Sequence, residues 1–229
     1  MKRGTKQVSS IDFQNDAPRA IDDLLVAYGA GALDAAHHAI VASHLLLKPE
    51  NRGFVRAIED GIAAQIIGGE ARAPVAQRDR RLAAIFDAAD EAAAPHAQMR
   101  DQTLPEPLRR FIGHGLEDVS WSFVVPGVRE CRIADIGGGC ASLLRVKAGR
   151  RLPQHTHAGA EITLVLSGAF SDPQGRYARG DIAIADGSID HSPIVESEED
   201  CICFAVTDAP LVLTGPFGRI VQKLFGKAH

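Results

Sequence analysis

Apolar residues recur at helical spacing through the first part of the chain and at strand spacing through the rest. Ile21, Leu24, Leu25 and Tyr28 share one helical face behind Asp16, a candidate cap, and Gly29 and Gly31 end that segment. Asp34 can cap a second helix through Leu47, with Ile40, Val41, His44 and Leu45 on one side. Pro49, at a first-turn position, opens a third helix whose stripe is Phe54, Val55, Ile58, Ile62 and Ile66 and which stops at Gly68-Gly69. A fourth runs from Gln77 to Ala94, with Leu82, Ile85 and Phe86 apolar. Helices this short cannot bury their stripes alone; they need one another or a partner protein. Residues 70–75 and 95–107 are polar, carry proline and read as connectors.

From Leu116 onward the period changes. Short apolar or alternating segments at 119–125, 129–136, 141–147, 161–167, 181–185 and 201–206 are separated by turn residues such as Pro126-Gly127, Gly137-Gly138-Gly139 and Asp172-Pro173-Gln174-Gly175. Regularly spaced short strands predict a sandwich or barrel. The predicted architecture is α+β: a small all-α helical bundle over residues 1–94, a linker over 95–107, and a β-barrel over 108–229.

Composition narrows the function. A formal net charge of −4 gives no reason to expect direct contact with nucleic acid. Arg78, Arg80 and Arg81 are flanked by acids and read as a solvated helix face. No apolar run approaches the roughly 20 residues of a membrane span. The start, Met1-Lys-Arg-Gly-Thr-Lys, lacks the apolar core of a signal peptide, so a cytoplasmic location is predicted. The four cysteines are Cys131, Cys140, Cys201 and Cys203, none in a Cys-x-x-Cys pair. Cys201 and Cys203 would face one way on a strand. They read either as small buried hydrophobes or as a redox-sensitive pair.

The chemistry concentrates between Gly149 and His191. His155 and His157 are separated by one residue, which on a strand puts both imidazoles on one face. Glu161 is an even number of residues further on and can rejoin that face. His191 must arrive from another strand, so a metal held by His155, His157, Glu161 and His191 would clip distant segments together. Three nitrogens and one oxygen can complete a tetrahedron around zinc; they can also leave open positions on iron or manganese, and imidazole suits nickel too.

Gly149, His155, His157, Glu161 and Gly168 satisfy Gly-x5-His-x-His-x3-Glu-x6-Gly, which resembles the first motif of the cupin family. Gly180 and His191 fit the second cupin motif, while Asp186, Ser188 and Val195 stand where Pro, Gly and Asn usually occur. A cupin resemblance implies a jelly-roll barrel. The segments Glu161-Ile-Thr-Leu-Val-Leu-Ser-Gly-Ala-Phe170, Asp200-Cys-Ile-Cys-Phe-Ala-Val-Thr-Asp-Ala-Pro-Leu211 and Leu116-Glu-Asp-Val-Ser-Trp121, preceded by helices, resemble the ChrR family of anti-sigma factors. That resemblance implies helices that grip an extracytoplasmic-function sigma factor, and a cupin that responds to oxidative stress and lets the sigma factor go. It also implies zinc in the cupin, held by His155, His157, Glu161 and His191.

The same resemblance implies a second zinc in the helices, on an early histidine and a His-x3-Cys-x2-Cys set. Here His44 matches the histidine, Lys48 and Asn51 stand at the cysteine positions, and Arg19 lies near the early histidine. No second zinc is therefore expected, and His44 reads as a packed histidine, with His37 and His38 as helix-face residues. Leu24, Leu25, Leu45 and Phe54 are the candidate sigma contacts, and a reading of them as core residues alone fits equally well locally. Two alternatives remain at this point: a metal-dependent cupin enzyme of the dioxygenase kind, and a sensor that no longer binds sigma. No catalytic residue is assigned, and a homodimer is compatible with the sequence.

Overall fold

In a computed structural model of the chain, residues 20–67, 76–92 and 103–215 are described, the side chains of 87–92 excepted. Helices α1 (Ile21–Gly29) and α2 (Ala35–Leu47) come first, followed by a 3-10 turn at Pro49–Asn51 and α3 (Arg52–Ile67). Helices α4 (Arg78–Ala92) and α5 (Glu106–Ile112) precede the strands. Asp34 caps α2 as its sequence predicts, accepting from the amides of Ala36 at 2.9 Å and His37 at 3.0 Å. The predicted cap Asp16, the stop at Gly68-Gly69, the connector at 70–75 and residues 95–102 of the predicted linker lie outside the described residues. The end of that linker is core and helix: Leu104 is fully buried and α5 begins at Glu106.

The strands are β1 (Ser122–Val125), β2 (Val128–Ile136), β3 (Gly139–Val146), β4 (His155–His157), β5 (Glu161–Ser167), β6 (Ala169–Asp172), β7 (Gly175–Ala178), β8 (Ile182–Ala185), β9 (Ile194–Val195), β10 (Cys201–Thr207) and β11 (Leu211–Leu213). A six-stranded antiparallel sheet runs β1-β2-β3-β10-β5-β8, beside a β7-β6-β9 sheet and a β11-β4 ladder. A 3-10 turn at Leu116–Asp118 precedes the segment expected to be strand from 119, and β1 starts only at Ser122.

Alternation along the large sheet decides what each face covers. Leu164, Leu166, Phe204, Val206 and Leu143 share one core with Leu24, Leu25, Ile40, Val41 and Leu108 of the helices. Their neighbours Val165, Cys201, Cys203 and Val146 point the other way, against Phe170 and Val195 of the small sheet. The helices therefore cover the outer face of the sheet, and the small sheet closes its inner face. Burial on both faces explains why Ile162 to Leu166 reads as an unbroken run rather than an alternating one. In β2 the register against β3 shifts between Arg132 and Ala134. That irregularity, with Ile133 as its extra residue, lets Cys131 before it, Ile133 itself, and Ala134 and Ile136 after it all pack into the core shared with the helices.

This arrangement decides between the two readings of the candidate sigma contacts. Leu24, Leu25 and Leu45 are buried in the shared core and present nothing to a partner; of the four, only Phe54 is exposed. The helices find their apolar cover on the sheet, which periodicity along a helix cannot reveal. Among the described helical residues the most exposed apolar side chains lie on α3 and α4, with Ile66 58%, Ile67 81%, Ile85 61% and Phe86 68% exposed; Val26 on α1 and Leu46 on α2 are uncovered to a lesser degree.

Candidate metal centre

Strand β4 is only three residues long, and it carries both His155 and His157 into the protein interior. It is held from two sides. One is β11, where Leu213 pairs with His155 and Leu211 with His157. The other is an isolated antiparallel bridge in which His155 and His191 exchange both backbone hydrogen bonds at 2.9 Å. His191 thus comes from outside β4, as its place in the sequence requires, and lies directly opposite His155.

The three rings converge through one kind of atom. His191 Nε2 lies 3.1 Å from His155 Nε2 and 3.3 Å from His157 Nε2. The Nδ1 atoms face outward to acceptors. His155 Nδ1 donates to the Pro153 carbonyl at 2.7 Å, and His191 Nδ1 donates to Asp172 Oδ2 at 2.8 Å. His157 Nδ1 lies 3.3 Å from Glu161 Oε2, without the alignment of a hydrogen bond. With protons on Nδ1, all three Nε2 lone pairs point at one another, and nothing among the rings can donate to them. A divalent cation satisfies such a group, so His155, His157 and His191 can hold a metal ion. Burial is the largest influence on His155 and His157 and pushes both below the ordinary imidazole range, which keeps them neutral and ready to ligate.

Of the four predicted ligands, the structure brings these three together. Glu161 stands at the other edge of the His157 ring, half-buried, and accepts from Thr163 Oγ1 at 2.8 Å. Asp172 is the residue that sequence reasoning missed. Its side chain is 1% exposed, it orients His191, and its Oδ1 takes the amides of Gln174 at 2.9 Å and Gly175 at 3.2 Å in the β6–β7 turn. The turn itself was legible from Asp172-Pro173-Gln174-Gly175; its proximity to His191 depends on β6 pairing with β9.

Of the other histidines, His37 is buried with Nδ1 2.6 Å from Asp34 Oδ2, and His38 stacks on Tyr28. Cys201 and Cys203 face the barrel interior together, their sulfurs 3.5 Å apart.

Residues 111–210 match the family described as the ChrR cupin-like domain. Across 207 residues the chain is 40% identical to the anti-sigma-E factor ChrR of Cereibacter sphaeroides, spanning 89% of this chain and 95% of that one. The chain belongs to the ChrR family. A solved structure of Rhodobacter sphaeroides SigE in complex with the anti-sigma ChrR aligns with a TM-score of 0.65 at 37% identity, over 82% of this chain and 96% of that chain. The likeness spans helices and barrel alike, so this ChrR-family chain shares the two-part organisation as well as the cupin. No helix among the described residues is long and apolar enough to cross a membrane.

Proposed function

We propose that this chain is a cytoplasmic anti-sigma factor that sequesters an extracytoplasmic-function sigma factor, with a helical unit for the sigma factor and a cupin unit that responds to oxidative stress. The observation that carries this reading is the relative named an anti-sigma-E factor, which the chain matches at 40% identity over 95% of that protein's length. The role is that of a regulator, and the metal is structural and sensory rather than catalytic. Uncovered apolar side chains on α3 and α4 are the surface on which the sigma factor would sit. Such side chains at helical spacing suit recognition between amphipathic helices.

In the cupin, zinc is the metal, with His155, His157 and His191 as imidazole donors and Glu161, at the ring of His157, as the fourth. Three nitrogens and a carboxylate suit a closed zinc site. The helices up to residue 94 form one unit and the cupin from 108 the other, joined by residues 95–107, the last of which, from Leu104, pack as core and as the start of α5.

The test is co-expression with the extracytoplasmic-function sigma factor encoded beside the gene. A complex that withholds the sigma factor from RNA polymerase, and dissociates under singlet oxygen or peroxide, supports the proposal. Absence of any complex at micromolar concentration overturns it. Metal analysis of the purified chain, and of a Glu161→Ala variant, tests the zinc and its fourth donor.

A further inference from the structure

The zinc that family resemblance implies for the helices does not fit the residues this chain has. Lys48 brings an ammonium group and Asn51 an amide to the two cysteine positions, and neither is a zinc ligand of the usual kind. His44 is spoken for. It is buried near the end of α2; its Nδ1 donates to the Gly180 carbonyl at 2.7 Å, and its Nε2 accepts from Asn51 Nδ2 at 2.7 Å. Both ring nitrogens are engaged, and no lone pair is left for a metal.

Two of the three reach across to the barrel, His44 to the Gly180 carbonyl and Lys48 to Asp181, while Asn51 holds the His44 ring from the helix side. Lys48 Nζ pairs with Asp181 Oδ1 at 2.8 Å, one residue beyond the carbonyl that His44 holds. The other Asp181 oxygen, Oδ2, accepts the Ala178 amide at 2.9 Å, which braces the turn from within. Gly180 donates to the Val165 carbonyl at 2.8 Å, and Val165 donates to the Asp181 carbonyl at 3.0 Å, so the turn is bolted to the middle of β5. Gly180 has φ +90°, and a Cβ there would sit 2.8 Å from Leu47 Cβ and 3.1 Å from Lys48 Cγ. Only glycine allows the end of α2 to come this close. On the helix side, Arg52 Nε donates to the Leu45 carbonyl at 2.7 Å and closes the C-terminus of α2.

We propose that His44, Lys48 and Asn51 form a metal-free clasp that fastens α2 to the Gly180–Asp181 turn of the cupin and replaces a zinc site within the helices. Where the fold could have used a cation to order the helix end internally, this chain uses hydrogen bonds and one ion pair to tie that end to the barrel. Any rearrangement that parts α2 from the sheet must open these bonds, and metal removal does not open them. The clasp requires no sigma factor, so it is tested independently of the proposed function.

The experiment is amide hydrogen exchange on the full chain, followed by mass spectrometry. In wild-type protein treated with a chelator, peptides covering residues 44–48 and 180–182 stay protected. In a Lys48→Ala/Asp181→Ala double variant their exchange rises at least tenfold, while peptides from β3 and β10 hold their wild-type rates. Gly180→Ala, which acts from the barrel side through crowding of α2 and backbone strain at φ +90°, gives the same local rise. The proposal is overturned if chelation alone exposes residues 44–48 with β3 and β10 still protected, or if both variants exchange there at the wild-type rate.

Discussion

Asp172 Oδ2 lies 2.8 Å from His191 Nδ1, and the two side chains are 1% and 7% exposed. A buried carboxylate there fixes the ring orientation and the tautomer that leaves Nε2 free for metal. In Asp172→Asn, Oδ1 can keep the two turn amides, but an NH2 group or a weaker acceptor replaces Oδ2. Metal affinity is expected to fall about 10- to 100-fold with folding retained. Competition against a chromophoric chelator measures this, and an unchanged affinity would assign Asp172 to the turn alone.

His44 gives the clasp a pH dependence. Burial is the largest influence and lowers its pKa; Lys48 adds to that, while the Gly180 carbonyl, Asp181 and Glu50 oppose it. The unfolded histidine titrates near about 6.5. Because the folded value is lower, the stabilisation is complete above the unfolded value and is lost as pH falls through the folded one. A protonated ring also cannot accept from Asn51. Denaturant midpoints at pH 7.5 and 5.5 should differ more in the wild type than in His44→Gln. His155 and His157 are shared by both proteins, so an equal difference would remove His44 from the pH response.

How much was legible depends on the range over which each feature is decided. The Asp34 cap, the run from Ile162 to Leu166 and the His155-x-His157 pair are local, and propensity and period suffice for them. His191 was reached as a candidate ligand through a spaced motif rather than any nearby signal, and its place directly opposite His155 was not legible. Asp172 was invisible because it lies 19 residues from His191 in sequence. It arrives through a two-residue pairing of β6 with β9, too short to leave a pattern. For Leu24 and Leu45 the sequence leaves core and sigma contact equally open, because a helical stripe shows that a face is covered, not by what. The answer lay in Leu164 and Phe204, more than a hundred residues away.

Cys201 and Cys203 should resist alkylation in the native protein. Hydrogen bonding to Cys201, followed by burial, pushes the Cys203 thiol well up, and reagents attack the thiolate. Iodoacetamide at mildly alkaline pH is expected to label Cys131 and Cys140, which are partly exposed, and to reach all four only after denaturation. Rapid labelling of Cys203 in the folded state would contradict its placement in the interior.

Core and docking surface can be separated by substitution. Leu24 is fully buried between the helices and the sheet, so Leu24→Ala is expected to cost about 2–5 kcal/mol and shift the unfolding midpoint accordingly. Ile66 and Phe86 are 58% and 68% exposed, so Ile66→Glu and Phe86→Glu should change stability by no more than about 0.5 kcal/mol. If α3 and α4 form the sigma-binding face, those two variants lose at least tenfold in affinity for the sigma factor, because each would bury a carboxylate against an apolar partner. Leu24→Ala, at temperatures where it remains folded, keeps its affinity. Undiminished binding by Ile66→Glu and Phe86→Glu together would place the sigma factor on another face of the molecule.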